Sequence, residues 1–280
     1  MHLMMILAAL ALAVGLRLVP IPLNGDWQTR WQRSLFLFLF PPLILITTIS
    51  SVLLMGAEGH MLGLKASQFG YSVALLFAAW LLFKLAILAR QVFISQRQIQ
   101  TYPLTRIQDQ EVRLIPLDLP YIAQIGFWQP QLVISQSLVN ILDQPQLNAV
   151  IEHEQAHYYY RDTFYFFWLG WLKNSTCWLK NTEILWQELL LLREIRADLK
   201  AAKRVDALTL AESLLKVVQN PLTGNNCFTA CFSLPIADNR LAQRIDALIN
   251  NKPLPTSPNF FYWSWLLLLL IPWATVPLHY

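Results

Sequence analysis

Two histidines and a glutamate form the pattern His153-Glu154-x-x-His157, in a segment that predicts a helix. A spacing of four residues places both imidazoles on one helical face, about one turn apart. Two neutral imidazole nitrogens can then bind one Zn²⁺ and leave room for a third protein ligand and a water molecule. Glu154 can take a proton from that water, which is the chemistry of a metal-dependent hydrolase. A chance occurrence of the pattern is the alternative.

The chain around this motif is unusually apolar, since 55% of its 280 residues are hydrophobic and only 14% are charged. Ordinary soluble domains are more polar than this. The apolar residues are clustered in runs that are each close to the ~20 residues needed to span a bilayer. These runs are residues 3–19, 34–55, 71–88 and 260–278. They predict three transmembrane helices within 1–90, a soluble domain over 91–258 and a fourth transmembrane helix within 259–280.

The first run could instead be a cleaved signal peptide. It has no basic start and no small-x-small cleavage site, so we interpret it as an anchor. Arg17, Arg30 and Arg33 lie around the segment that connects the first two apolar runs, and further arginines follow the third run. By the positive-inside rule we expect a multi-pass protein of the cell (inner) membrane, with both termini outside, the lipid bilayer as a partner and residues 91–258 in the cytoplasm. The net charge of +4 needs no nucleic-acid partner, and we expect no direct nucleic-acid binding.

The expected topology limits the choice of a third metal ligand. Of the five histidines, His2, His60 and His279 fall on the outer side, so the cytoplasmic segment offers only carboxylates and cysteines. The candidates are Asp162, Cys177, Glu183, Glu188, Glu194, Asp198, Glu212, Cys227 and Cys231.

Glu194 is the most suitable candidate, because Asp198 follows at i+4 on the same helical face. One carboxylate could bind zinc while the other accepts a hydrogen bond from the second nitrogen of a ligand histidine. The alternative is a solvated helix in which Arg193, Glu194, Arg196 and Asp198 pair with one another.

Other potential ligands are less informative. Cys227 and Cys231 lie four residues apart, which could suit a metal or a redox pair. With no histidine nearby and in a reducing cytoplasm, we interpret them as buried thiols. Asp162 follows Arg161 and is either half of an ion pair near the site or the end of the motif helix.

The soluble segment predicts an α+β domain with a small sheet. Alternating patterns predict short strands at 112–117 and within 122–135, the latter around a turn at 126–130. The sheet edge could bind a peptide as an additional strand, or the sheet could only support the motif helix. The Phe/Trp-rich run 163–172 is too short to span a membrane and lies either against its surface or in an aromatic core. Helices are predicted at 91–110 (ended near Pro103), 136–142, around the motif, and at 183–204, 207–219 and 240–249.

Taken together, these motifs resemble the M56 family of membrane metallopeptidases, the protease half of BlaR/MecR-type antibiotic-sensing receptors. They are more distantly similar to the HtpX-like peptidases of the M48 family, which share the histidine motif followed by E-x-x-x-D. Those receptors carry an extracellular sensor after the last membrane helix, whereas this sequence ends at Tyr280, so we expect no β-lactam sensing of that kind. The segments that carry the resemblance are 126–130, 146–157, 161–162, 178–181 and 193–198.

The resemblance implies a mainly α membrane protein with a gluzincin-type zinc metallopeptidase domain. It implies that His153, His157 and Glu194 bind Zn²⁺, that Glu154 is the general base and that Asp198 supports a ligand. Arg244 stands where these families carry a late arginine, and it could support the site, as could Asp162.

The His-Pro pair that M48 peptidases often place before that arginine is absent from residues 236–240. Its absence favours M56 and leaves the group that stabilises the oxyanion unassigned. The implied substrate is a protein or peptide, such as a BlaI/MecI-type repressor or the enzyme itself. General turnover of membrane proteins, or a non-enzymatic transducer that retains the fold, are the alternatives.

Overall fold

A computed structural model describes residues 1–20, 25–61, 63–219, 238–250 and 260–280. The chain forms two compact units. The first unit comprises Met1–Ile87, Trp171–Leu190 and Pro255–Tyr280, and the second comprises Leu88–Gly170 and Leu191–Leu254. The pair Cys227 and Cys231 lies outside the described residues.

Long apolar helices dominate the first unit. Helix α1 is His2–Leu18, α2 is Trp27–Met55 and α3 is Gln68–Gln100, with a short antiparallel hairpin of β1 (His60–Met61) and β2 (Leu64–Lys65) before α3. Asp26 begins α2 by accepting a hydrogen bond from the Thr29 backbone N–H, which satisfies one of the unpaired donors at the helix start. Aromatic and aliphatic side chains of α1, α2 and the C-terminal segment form a common core.

Among the described residues, two helices are long and apolar enough to cross a membrane, namely α2 and α3. In the most apolar window of α3 only 17% of the residues are buried, so most of its apolar side chains face outward. The other two predicted spans form shorter apolar helices, at His2–Leu18 and Tyr262–Leu278. The last of these is mostly a 3₁₀ helix, Phe260–Leu270, followed by α10 (Ile271–Ala274) and a second 3₁₀ turn. Four transmembrane helices are therefore not confirmed, whereas two candidates are present.

The second unit contains a four-stranded mixed sheet. Its strands are β3 (Leu104–Ile107), β4 (Gln110–Ile115), β5 (Ile122–Ile125) and β6 (Gln131–Ser135), in the order β3-β4-β6-β5. The predicted strands at β4, β5 and β6 are confirmed, and β5 lies at one edge of the sheet. The helix predicted over 91–110 and ended near Pro103 is confirmed as far as Gln100, whereas strand β3 at 104–107 was not predicted. Pairing with β4 satisfies backbone N–H and C=O groups of Leu104–Ile107.

The motif helix packs against this sheet. Helix α4 (Gln136–Ile141) is followed by α5 (Gln144–Tyr159), which begins at a capping box formed by Asp143 and Gln146. Leu147, Val150 and Ile151 on α5 pack on buried residues of β4 and β6. The capping box fixes where α5 begins, and the packed face fixes its rotation about its own axis.

Four more helices complete the described chain. Helix α6 is Asp162–Ser175, α7 is Thr182–Ala201, α8 is Ala207–Gln219 and α9 is Asp238–Ile249. Within the second unit, Ala149 of α5 packs with Leu210 of α8 and Leu248 of α9 in one apolar cluster. The small side chain at 149 lets these helices approach the motif helix closely.

Candidate metal centre

The two motif histidines lie side by side on α5, in the second unit. Their Nε2 atoms are 3.1 Å apart, and both rings are buried. The Nδ1 atom of each ring lies against a carboxylate. His153 Nδ1 is 2.8 Å from Asp198 Oδ1, and His157 Nδ1 is 2.7 Å from Asp162 Oδ2. Contacts of this kind favour the tautomer with the proton on Nδ1, so that a neutral ring keeps the Nε2 lone pair for a metal ion.

The carboxylate of Glu194, from α7, lies beside both Nε2 atoms. Its Oε2 atom is 3.3 Å from His153 Nε2, and its Oε1 atom is 3.6 Å from His157 Nε2. Donors held at ~2.1 Å from a tetrahedral zinc ion lie roughly 3.4 Å from one another. The three observed separations bracket this value, and the donor set of two imidazoles and one carboxylate is one that zinc prefers. The residues therefore fit a zinc ion, with a fourth position left for a small ligand.

Arginines hold the carboxylates in place. Arg244 of α9 makes a bidentate contact to Asp198, with Nε donating at 2.7 Å and Nη2 at 2.8 Å, and both side chains are buried. Arg193 donates to Glu194 Oε1 from Nε at 2.9 Å and from Nη2 at 2.6 Å. Arg196 donates to Asp162. Asp162, Glu194 and Asp198 thus each have an arginine partner, which repays part of the cost of removing these acids from water.

These contacts shift the pKa values of the acids downward. Burial alone raises the pKa of Glu194, but the charges of Arg193 and His157 hold it well below its usual range. Burial also raises the pKa of Asp198, and Arg244 and His153 more than offset that effect. Both groups are therefore carboxylates at neutral pH, the form that a metal or an imidazole N–H requires.

The pKa values of the two histidines shift in the opposite direction. Burial lowers the pKa of His157, but the charge of Glu194 and the hydrogen bond with Asp162 raise it to about 10. Burial likewise lowers the pKa of His153, and Asp198 more than compensates, so the net change is upward. A metal ion binding at Nε2 must therefore displace protons from this pair.

Glu154 lies between the motif helix and the sheet. The carboxylate is buried, and its Oε2 atom accepts a hydrogen bond from the backbone N–H of Gln124 at 3.1 Å. Gln124 belongs to the edge strand β5, so the bond ties the second residue of the motif to the sheet edge. The acid is thus held through one of its two oxygens.

Seven of the residues singled out from the sequence are brought together here: His153, Glu154, His157, Asp162, Glu194, Asp198 and Arg244. Asp162 does not pair with Arg161 but contacts His157 and Arg196. Other candidate ligands have different surroundings. Glu183 pairs with Lys173, Glu188 pairs with Arg30, and Cys177 is exposed.

Sequence reasoning missed the contact of Arg196 with Asp162. Pairing of Arg193 with Glu194 along α7 was raised from the sequence as an alternative, and the structure shows this contact. The position of Arg196 beside Asp162 depends on how the start of α6 lies against α7, which no local pattern reveals.

Comparison with known proteins gives one match. Residues 123–230 match the family model described as Peptidase family M48. This match covers less than half of the chain and supports a peptidase of that family, a family of zinc metallopeptidases; the resemblance to M56 is not confirmed. Neither the curated proteins nor the solved structures contain a match.

Proposed function

We propose that this protein is a membrane-associated zinc endopeptidase whose site consists of His153, His157 and Glu194 with Glu154 as general base. The observation that carries the proposal is the convergence of two Nε2 atoms and one carboxylate within 4.8 Å of one another. The family match over 123–230 supports the same chemistry. A structural zinc site is normally closed by four protein ligands, whereas three ligands with a separate carboxylate nearby are the arrangement of a catalytic site that keeps a position for water.

Zinc bound there would act as a Lewis acid that polarises the scissile carbonyl and lowers the pKa of water. Glu154 takes the proton of the attacking water and passes it to the leaving amine. The Gln124 N–H, which donates to one Glu154 oxygen, keeps that carboxylate from rotating away. Asp162 and Asp198 hold the imidazole rings, and Arg244 holds Asp198 in turn.

The sheet edge supports a peptide as substrate. The Gln124 N–H points at Glu154 and therefore away from β6, so in an antiparallel ladder the Gln124 carbonyl also faces the outer side of β5. An extended peptide that pairs with this side of β5 would pass directly beside Glu154. Strand addition of this kind gives affinity through main-chain hydrogen bonds and tolerates varied side chains.

The location of the site is part of the proposal. Two apolar helices, one with its apolar side chains mostly turned outward, support attachment to a membrane. We place the peptidase unit at the cytoplasmic face of the cell membrane, on the positive-inside argument from the sequence. Its substrate would be a cytoplasmic regulator such as a BlaI/MecI-type repressor, or the chain itself. The M48 match favours a second candidate, turnover of membrane proteins.

A comparison of the wild type with Glu154→Gln in the native host tests the proposal. The variant keeps the volume and the hydrogen bond from Gln124 but lacks the basic carboxylate. We expect it to retain zinc and to lose specific cut sites in a proteome-wide survey of new N-termini. Cuts confined to one regulator support regulated proteolysis, and cuts in many membrane proteins support turnover. Cut sites unchanged in the variant would leave only a non-enzymatic transducer.

A further inference from the structure

A second concave site lies on the same helix as the metal motif. It is a cavity of about 370 Å³ where the end of α5, the start of α6 and the end of α7 meet. Volumes of this size suit small molecules or lipid headgroups. All of its lining residues belong to the second unit.

The cavity faces away from the metal centre. Residues advance by about 100° along a helix, so His153 and His157 point to one side of α5. Glu152, Gln155 and Tyr159, which line the cavity, lie roughly on the opposite side. Neither motif histidine, nor Glu154, nor Glu194 is among the residues that line the cavity.

One wall of the cavity is aromatic. Phe127, Trp128 and Phe164 contact one another with ring centroids 5.0–5.3 Å apart. Trp128 is nevertheless 74% exposed. On α6 beside this wall, Tyr165 and Trp168 are also exposed. Exposed tryptophan and tyrosine are enriched where proteins meet the headgroup region of a membrane.

The cavity lining also includes three cations. It carries Arg161, Lys200 and Arg204, against a single acid, Glu152. Arg204 is 3.2 Å from Glu152, and the Lys200 ammonium lies 3.9 Å from the Tyr159 ring centre. The Arg161 side chain has no hydrogen-bond or ion-pair partner among the residues that the structure describes. The ion pair with Glu152 neutralises Arg204, so the charges of Arg161 and Lys200 have no acidic partner among the lining residues.

We propose that this cavity binds the headgroup of an acidic phospholipid. The phosphate would lie between Arg161 and Lys200, and the glycerol and first methylenes would lie on the Phe127–Trp128–Phe164 wall. The exposed aromatic side chains on α6 would enter the same lipid interface. An anion without an apolar part would use the cations alone and leave the aromatic wall uncovered.

The full chain in a neutral detergent, titrated with short-chain phosphatidylglycerol carrying brominated chains, tests the proposal. We expect saturable quenching of tryptophan fluorescence, and loss of most of the saturable part in Trp128→Phe. Arg161→Gln and Lys200→Gln should each raise the dissociation constant about fivefold. Glu152→Gln, which removes the only acid, should lower it. Lys203→Gln provides a matched control, since Lys203 is exposed between two of these cations but does not line the cavity.

Two further ligands separate the possible sources of binding. Phosphatidylcholine of the same chain length should bind at least several-fold more weakly, and inorganic phosphate at the lipid concentration should not compete. Equal affinity for phosphatidylcholine, competition by phosphate alone, or Arg161→Gln and Lys200→Gln titrations identical to that of Lys203→Gln would overturn the proposal. Zinc content is expected to be unchanged in all of these variants, which separates this result from any failure of the metal site.

Discussion

The backbone N–H of Gln124 donates to the carboxylate of Glu154 at 3.1 Å, which joins the edge of the sheet to the motif helix. This contact links the strand where we place the substrate to the group that we assign as general base. Both partners are buried, so water does not compete strongly for the bond.

Gln124→Pro tests this link, because proline removes the donor while an edge strand can still accommodate it. We expect cleavage to fall about 10- to 100-fold, the value of one hydrogen bond to a charged group, with zinc content unchanged. Gln124→Ala keeps the N–H and should remain close to the wild type. Equal activities of the two variants would show that the bond does not orient Glu154.

Asp162 and Asp198 should both be needed for tight metal binding. Each contacts the Nδ1 atom of one histidine, and loss of such a partner commonly costs 10- to 100-fold in metal affinity. We expect Asp162→Asn and Asp198→Asn to show losses of about this size in a chelator competition assay. Asp206→Asn is the control, since Asp206 only caps α8 through Thr209. Unchanged zinc affinity in either site variant would refute its supporting role.

Arg244 should matter chiefly for stability. It neutralises Asp198, which has no solvent exposure, so Arg244→Met would leave a buried charge unpaired. We expect the free energy of unfolding to fall by about 3–5 kcal/mol, measured by denaturation in detergent. Arg204→Met removes an exposed ion pair with Glu152 and should cost less than ~1 kcal/mol. Similar losses in the two variants would contradict the assigned importance of the buried pair.

Zinc affinity should decrease as the pH falls. The pKa of His157 is raised to about 10 and that of His153 is also raised in the metal-free site, so protons compete with the metal throughout the neutral range. Each displaced proton changes the apparent affinity about tenfold per pH unit. Titration with a zinc indicator between about pH 8 and pH 6 should give a fall of at least ~100-fold. A flat profile would mean that the rings are already neutral without metal.

Much of the metal centre could be predicted because its main spacings are local. His153 and His157 are spaced i,i+4, and so are Glu194 and Asp198. Each pair shares a helical face as soon as its own segment is helical, independently of tertiary packing. The position of Asp162 is different. Arg161 adopts a positive φ of 52°, and this tight turn between α5 and α6 brings the Asp162 side chain back onto His157. The sequence gives no comparable signal for a left-handed arginine.

The topology could be predicted less completely, for two physical reasons. Strand β3 has only four residues, two apolar and two polar, so its own sequence is a weak signal, and its pairing with β4 establishes it as a strand. Arg17 and Arg30, which served as orientation signals, are engaged within the protein. Arg17 donates to the Lys180 carbonyl and to Thr182, and Arg30 pairs with Glu188. Packing within the first unit therefore explains the positions of these arginines as well as the positive-inside rule does.

Metal analysis of the purified full chain tests the central claim most directly. We predict about one zinc ion per chain in the wild type and in Glu154→Gln, and almost none in His153→Ala or Glu194→Ala. A metal-free wild type, or equal zinc in the wild type and in both ligand variants, would contradict a zinc centre formed by His153, His157 and Glu194.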